Sequence, residues 1–179
     1  MAHNINYNEK TQKHSFFSVQ QKPWHGLGKI VENYPTSAKA LQFAGLDFTV
    51  AKLPNHHVFE DGKSIKSQNS FFTYRTDTDD VLGDKLGPEY QVVQNVDAFA
   101  FFDAIVEGEG IMYETAGALG KGERIFICAK LPTYIKVGSD DLIEKYLFLT
   151  TSHDGFGSIT AAFTPTRIVC NNSATRWVA

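Results

Sequence analysis

The C-terminal part of this chain leaves room for little besides strands. Residues 111–171 run as IMYETAGAL, ERIFICAKLP, EKYLFLTTSH and GSITAAFTPTRIVCN, all reading as strands, with Phe148, Thr150 and Ser152 alternating against Leu147, Leu149 and Thr151. That alternation places one set of side chains on each face of a sheet. Glycines punctuate the runs: Gly120-Lys121-Gly122 follows the first, and Asp154-Gly155 precedes the last. Both supply the positive φ that a tight hairpin turn needs. Pro165 interrupts the last run, which suits an edge strand or a bulge.

The earlier part of the chain adds short helices and more hairpins. TSAKALQFAGL (36–46) reads as a helix capped by Thr36 or Ser37 and ended by Gly45. DFTVAKLP (47–54) reads as a strand closed by Pro54. Residues 56–76 read as a separate hairpin turning at Glu60-Asp61-Gly62-Lys63, and 81–95 as two short strands around Gly83–Gly87. The clearest helix covers 95–107. Asn95 caps it, Asp97 suits its dipole, and Phe99, Phe102, Ile105 and Val106 form its apolar stripe. Strand runs with segregated helices predict an α+β fold, mostly an antiparallel sheet of hairpins with helices at 36–46 and 95–107. Residues 1–15 are polar and aperiodic and read as a flexible arm. Residues 16–179 form the single expected domain. Within it, Pro23, Gly26 and Gly28 punctuate PWHGLG, and Trp24 is expected to pin that loop to the core.

Charge narrows the function classes. The net charge is −3, spread as +2 over 1–35, −6 over 36–110 and +1 over 111–179. Such a balance argues against a strongly electrostatic nucleic-acid binder but leaves room for a local basic face. The acidic excess gathers in TDTDDVLGD (76–84), a solvated turn or else a cation site or a patch that mimics phosphates. Cys128 and Cys170 lie in apolar runs without a CxxC, so both read as buried free thiols. The N-terminal residues lack the apolar core of a signal peptide, and no apolar run approaches a membrane span. A cytoplasmic protein is expected.

No catalytic or metal motif stands out, and none is expected. His56 and His57 would point to opposite faces of a strand. GALGKG (117–122) lacks the GK[ST] and the following helix of a phosphate loop. His153-Asp154-Gly155 reads first as a turn, although an enzyme would draw on His153, Asp154 and Cys170. A second surface comes from Lys121, Arg124, Lys130 and Arg167, interleaved with Tyr113 and Phe163 among other rings. That mixture suits single-stranded nucleic acid, where bases stack on rings and phosphates meet cations.

Several blocks together carry a resemblance. PWHGLG, YQVVQN leading into DAFAFFDAIV, ETAGALGKGERIFICAKLP and LTTSHDGFGSITAAFTPTRIVCNN resemble the phage/plasmid-like family of bacterial proteins, a domain of unknown function. The resemblance spans about residues 20–173. It implies an accessory protein of a mobile element, with no cofactor and no established catalytic residues. Members of that family continue into a helical C-terminal region, so a short or truncated form is expected here. Its exposed apolar surface would favour a homo-oligomer or a partner. Two functions follow. One is binding or annealing of single-stranded DNA through Lys121, Arg124, Lys130, Arg167, Tyr113 and Phe163. The other is inhibition of a host defence nuclease, with Asp77, Asp79, Asp80 and Asp84, or the Trp24–His25 pair, meeting that protein.

Overall fold

A computed structural model describes residues 3–106, 110, 112–137, 141–170 and 173 of the chain. The fold is α+β, built mostly from antiparallel strands with two helices. A six-stranded sheet forms the centre. Its strands are β3 (Phe16–Val19), β4 (Lys29–Val31), β8 (Met112–Leu119), β9 (Arg124–Val137), β10 (Asp141–Ser152) and β11 (Thr160–Thr164). They lie in the order β11-β10-β9-β8-β3-β4, antiparallel except for the β3–β4 pair.

The C-terminal hairpins match the expectation. Gly120 and Gly122 take φ of 64° and 109° between β8 and β9, and Gly155 takes 82° after β10. The last strand is shorter than its sequence pattern. β11 ends at Thr164, and the Thr164 hydroxyl accepts the Thr166 N–H in a local turn around Pro165.

The sheet separates two apolar layers. On one face Ala116, Ala118, Ile125, Ile127, Leu147 and Leu149 pack against α1 (Ser37–Phe43) and α2 (Asn95–Val106). The three-stranded sheet of β5 (Val50–Val58), β6 (Ser64–Arg75) and β7 (Val81–Leu86) adds Val50 and Leu82 to that layer. On the other face Phe126, Cys128 and Phe148 meet Phe16, Ile5 and Ile168. Both cysteines are buried free thiols, and burial pushes the Cys128 thiol up to about 12.

Several local expectations need correction. Residues 47–54 and the first arm of the 56–76 hairpin are one strand, β5; Pro54 is accommodated because the ladder slips between Pro54 and His56. Residues 81–95 hold one strand rather than two, β7, with Gly83 inside it. Its neighbour explains the glycine: a Cβ there would sit 2.7 Å from the Asp154 Cα. Helix α1 ends in a Schellman arrangement, with Leu46 N–H on Leu41 C=O and Gly45 N–H on Gln42 C=O. Thr36 occupies its N-cap position without a side-chain cap bond. Asn95 does not cap α2 either; its side chain turns inward. The α2 stripe is Ala98, Phe99 and Phe102, while Ile105 is exposed. Position 107 lies outside the described residues.

From Asn4 onward, the segment read as a flexible arm is docked. Asn6 N–H bonds Ala118 C=O, and β1 (Tyr7–Asn8) pairs with β2 (Lys13–His14) as a small ribbon. Ile5 and Asn6 are buried. The arm looked mobile because only this short stretch is apolar enough to anchor it.

Candidate functional site

The histidine that most invites a catalytic reading is a structural joint. His153 is completely buried at the end of β10. Its backbone N–H bonds Glu123 C=O, and its own carbonyl accepts the Thr73 hydroxyl of β6 at 2.6 Å. The ring nitrogen Nε2 lies 2.9 Å from Asn95 Oδ1. Asn95 Nδ2 donates to Leu46 C=O, so its oxygen faces the ring and Nε2 carries the proton. Nδ1 is buried without a partner. One residue thus ties the central sheet, α2 and the three-stranded sheet together, with no room for a substrate.

Burial lowers the His153 pKa to about 4. The unfolded histidine takes up a proton near 6.5, so between pH 6.5 and pH 4 the unfolded state binds more protons than the folded one. Stability therefore falls with acid through that window. Urea unfolding at pH 7 and pH 5 should show a loss of about 2 kcal/mol from this residue, and His153→Asn should abolish that component.

A second histidine joins two distant motifs. Leu27 N–H donates to His25 Nδ1 at 3.1 Å, which leaves Nε2–H to donate to Val169 C=O at 3.0 Å. Its ring packs edge-on to Phe16 with centroids 5.1 Å apart. PWHGLG and TRIVC are therefore parts of one contact. Desolvation lowers the His25 pKa, and the Val169 bond opposes that. Trp24, expected to pin this loop, is 67% exposed; Pro23 and His25 hold the loop instead.

The basic residues of the C-terminal strands do not share one surface. Tyr113 is buried on the helix side, stacked on Phe99, with its hydroxyl on the Asp103 carboxylate. Lys130 and Arg167 lie on the opposite side, where carboxylates neutralise them. Lys130 pairs with Glu144, and Arg167 Nε lies 3.1 Å from Glu114 Oε1. The Arg167 guanidinium also bonds Gln21, Ser18 and the Val19 carbonyl. Burial raises the Glu114 pKa against the pull of Arg167. Arg124 sits six residues along β9 from Lys130, about 20 Å away. Lys121 is exposed in the β8–β9 turn, and Phe163 is exposed on the edge strand.

The acidic run is also partly committed. Asp77 grips Arg75 through both oxygens, at 2.9 and 2.8 Å. Burial alone would raise the Asp77 pKa, but the Arg75 hydrogen bonds and charge hold it below the usual carboxylate range. Asp80 accepts the Thr78 hydroxyl, whereas Asp79 and Asp84 are exposed.

Lys121 and Arg124 have no carboxylate partner among the described residues, but a group of such cations around a hollow occurs in the N-terminal third. Between the β1–β2 ribbon, β4 and α1 runs a cleft of two adjoining hollows. One, of about 500 Å³, is lined by Lys13, His14, Lys29 and Phe43 among others. The next, of about 410 Å³, shares Lys29 and Phe43 and adds Tyr34, Lys39 and Glu32. Lys29 Nζ rests 3.7 Å from the centre of the Phe43 ring. Among the described residues, Lys13, Lys29 and Lys39 have no carboxylate partner, and Glu32 is the one acid in these walls. The sequence hinted at this only through the mild positive excess of residues 1–35. No spacing motif marks the cleft, because its walls come from separate elements.

The domain of unknown function DUF932 matches residues 84–176, just over half of the chain. The chain belongs to the DUF932 family. The DUF932 segment covers the last residues of β7, then α2 and β8–β11, so it includes His153 and Asn95 but not the basic cleft. No curated protein and no solved structure matches the chain. Among the described residues no cluster of metal-ligating side chains occurs, and no helix is long and apolar enough to cross a membrane.

Proposed function

We propose that this chain is an accessory protein of a phage- or plasmid-type mobile element that binds single-stranded nucleic acid without catalysing a reaction. The blocks PWHGLG and LTTSHDGFGSITAAFTPTRIVCNN support the mobile-element part, through their resemblance to phage/plasmid-like proteins. The carrying observation for binding is the cleft. Three lysines without carboxylate partners line adjoining hollows around Phe43 and Tyr34. A groove that combines cations with rings holds a single strand by phosphate contacts and base stacking. A base that stacks on Phe43 displaces the Lys29 amine, which then meets the neighbouring phosphate. The proposed interface is therefore Lys13, Lys29 and Lys39 in preference to Lys130 and Arg167, whose charges are paired, and to Lys121 and Arg124, which line neither hollow. Annealing would follow if two strands exchange on such a surface. Inhibition of a host defence nuclease by phosphate mimicry is the weaker reading, since only Asp79 and Asp84 stand free of side-chain partners among Asp77, Asp79, Asp80 and Asp84.

A salt titration of binding to a labelled oligothymidylate, with duplex DNA as control, tests the proposal. Three phosphate contacts on a single strand give a log–log slope of about −2. Replacing Lys13, Lys29 and Lys39 together by Gln should flatten that slope and weaken binding by tenfold or more. Phe43→Leu should weaken binding by about 1 kcal/mol or more with little change in slope. Undetectable binding at low salt, or a triple variant that binds like the wild type, sinks the proposal.

A further inference from the structure

Each of the two larger sheets ends in two edge strands, and one of those four edges is unguarded. β4 carries Lys29, β5 carries Lys52, and β7 carries Asp84 and Lys85. Charges on edge strands discourage pairing with further chains. β11 carries none, and no charged residue occurs from Gly155 to Thr166. Among the described residues β11 pairs with β10 alone, so its outer backbone edge faces outward. The same stretch displays Phe156 at 81% exposure, Phe163 at 68% and Ile159 at 38%.

We infer that β11 is a self-association edge, which pairs antiparallel with β11 of a second copy across a two-fold axis. An isologous pair sets the same strand against itself, so each side must tolerate its own image. TAAFT does so without like charges opposing one another, and Ala161 and Phe163 lie on one face to meet their counterparts. A charged foreign strand would instead desolvate its charges against Phe156 and Phe163. The area predicts a weak dimer. With about 200 Å² per ring, the exposed parts of Phe156 and Phe163 amount to about 600 Å² over two copies, against about 1,200–2,000 Å² for a stable interface. Ile159, Ala161 and the new backbone bonds supply part of the remainder. The pairing does not rest on the nucleic-acid reading, because β11 and the basic cleft are at opposite edges of the central sheet.

Sedimentation equilibrium of the full chain, from about 1 µM to about 500 µM, tests this. The wild type should pass from monomer to dimer within that range. The double variant Ala161→Lys/Phe163→Lys should remain monomeric and keep its affinity for oligothymidylate. Hydrogen exchange on the wild type needs no variant: protection of the β11 amides should rise with concentration while other exchange rates stay constant. A wild type that is monomeric throughout overturns the inference. So does a folded double variant that still dimerises, or concentration-dependent protection confined to another element.

Discussion

Arg75→Ala should cost about 3–5 kcal/mol of folding stability, the range found when a large, fully buried side chain is truncated to alanine. Arg75 is 1% exposed, among the most deeply buried large side chains of the molecule. Its guanidinium satisfies itself locally: Nε and Nη2 donate to Asp77, and Nη1 to Asn6 Oδ1 at 3.1 Å and to Lys121 C=O at 3.3 Å. The group also lies 3.8 Å over the Phe48 ring. These partners come from the N-terminal ribbon, the β8–β9 turn and the segment before β5. Losing Arg75 leaves Asn6 and Asp77 short of a donor and opens a hole beside Phe48. Chemical denaturation of Arg75→Ala checks the magnitude. Asp77→Asn should cost less, because Asp77 is partly exposed and water can replace it. A loss below 1 kcal/mol for Arg75→Ala would mean that the ribbon contributes little to the fold. It also follows that neutralising Asp77 in a binding assay disturbs folding, so Asp79 and Asp84 are the cleaner positions for testing the acidic patch.

Gly28→Ala should cost about 3 kcal/mol, and it should damage the cleft as well as the fold. Gly28 has φ of +82°, a conformation that costs an alanine about 1–2 kcal/mol. An added Cβ would also sit 2.3 Å from the Phe16 carbonyl oxygen and 2.7 Å from its ring. Phe16 is fully buried and cannot withdraw, so β4 must move away from β3 at a further cost of about 1–3 kcal/mol. Lys29, the next residue, begins β4 and lies over Phe43. The variant should therefore unfold at lower denaturant and bind oligothymidylate more weakly even where it is folded. By contrast, a Cβ at Gly62 meets nothing within 4 Å, so Gly62→Ala bears only the cost of its positive φ.

The hairpins of the C-terminal half were legible because their signals are local. Alternation from 112 to 164 sets which face each residue takes, and the Gly120, Gly122 and Gly155 turns set where the chain reverses. The α+β class, the two helices and the buried thiols follow from the same short-range patterns. Local signals were misleading where tertiary contacts overrode them. Pro54 stops an isolated strand but not one whose partner slips a residue, and Asn95 reads as a cap until His153 and the Leu46 carbonyl claim its side chain.

The candidate site lay largely outside what sequence could give. Lys121, Arg124, Lys130, Arg167, Tyr113 and Phe163 looked like one surface because they are close along the strands. Alternation sends neighbours to opposite faces, and Glu114 and Glu144 neutralise two of the cations. Lys13, Lys29 and Lys39 come from three elements that only folding brings to one cleft. The sequence by itself determined strand alternation, turn positions and a neutral, uncharged β11. The tertiary structure alone decided which charges are paired, which histidines are buried, and which lysines share a cleft. Backbone conformation responds to the nearest few residues, whereas charge pairing and burial depend on groups that are distant along the chain and meet only in the folded molecule.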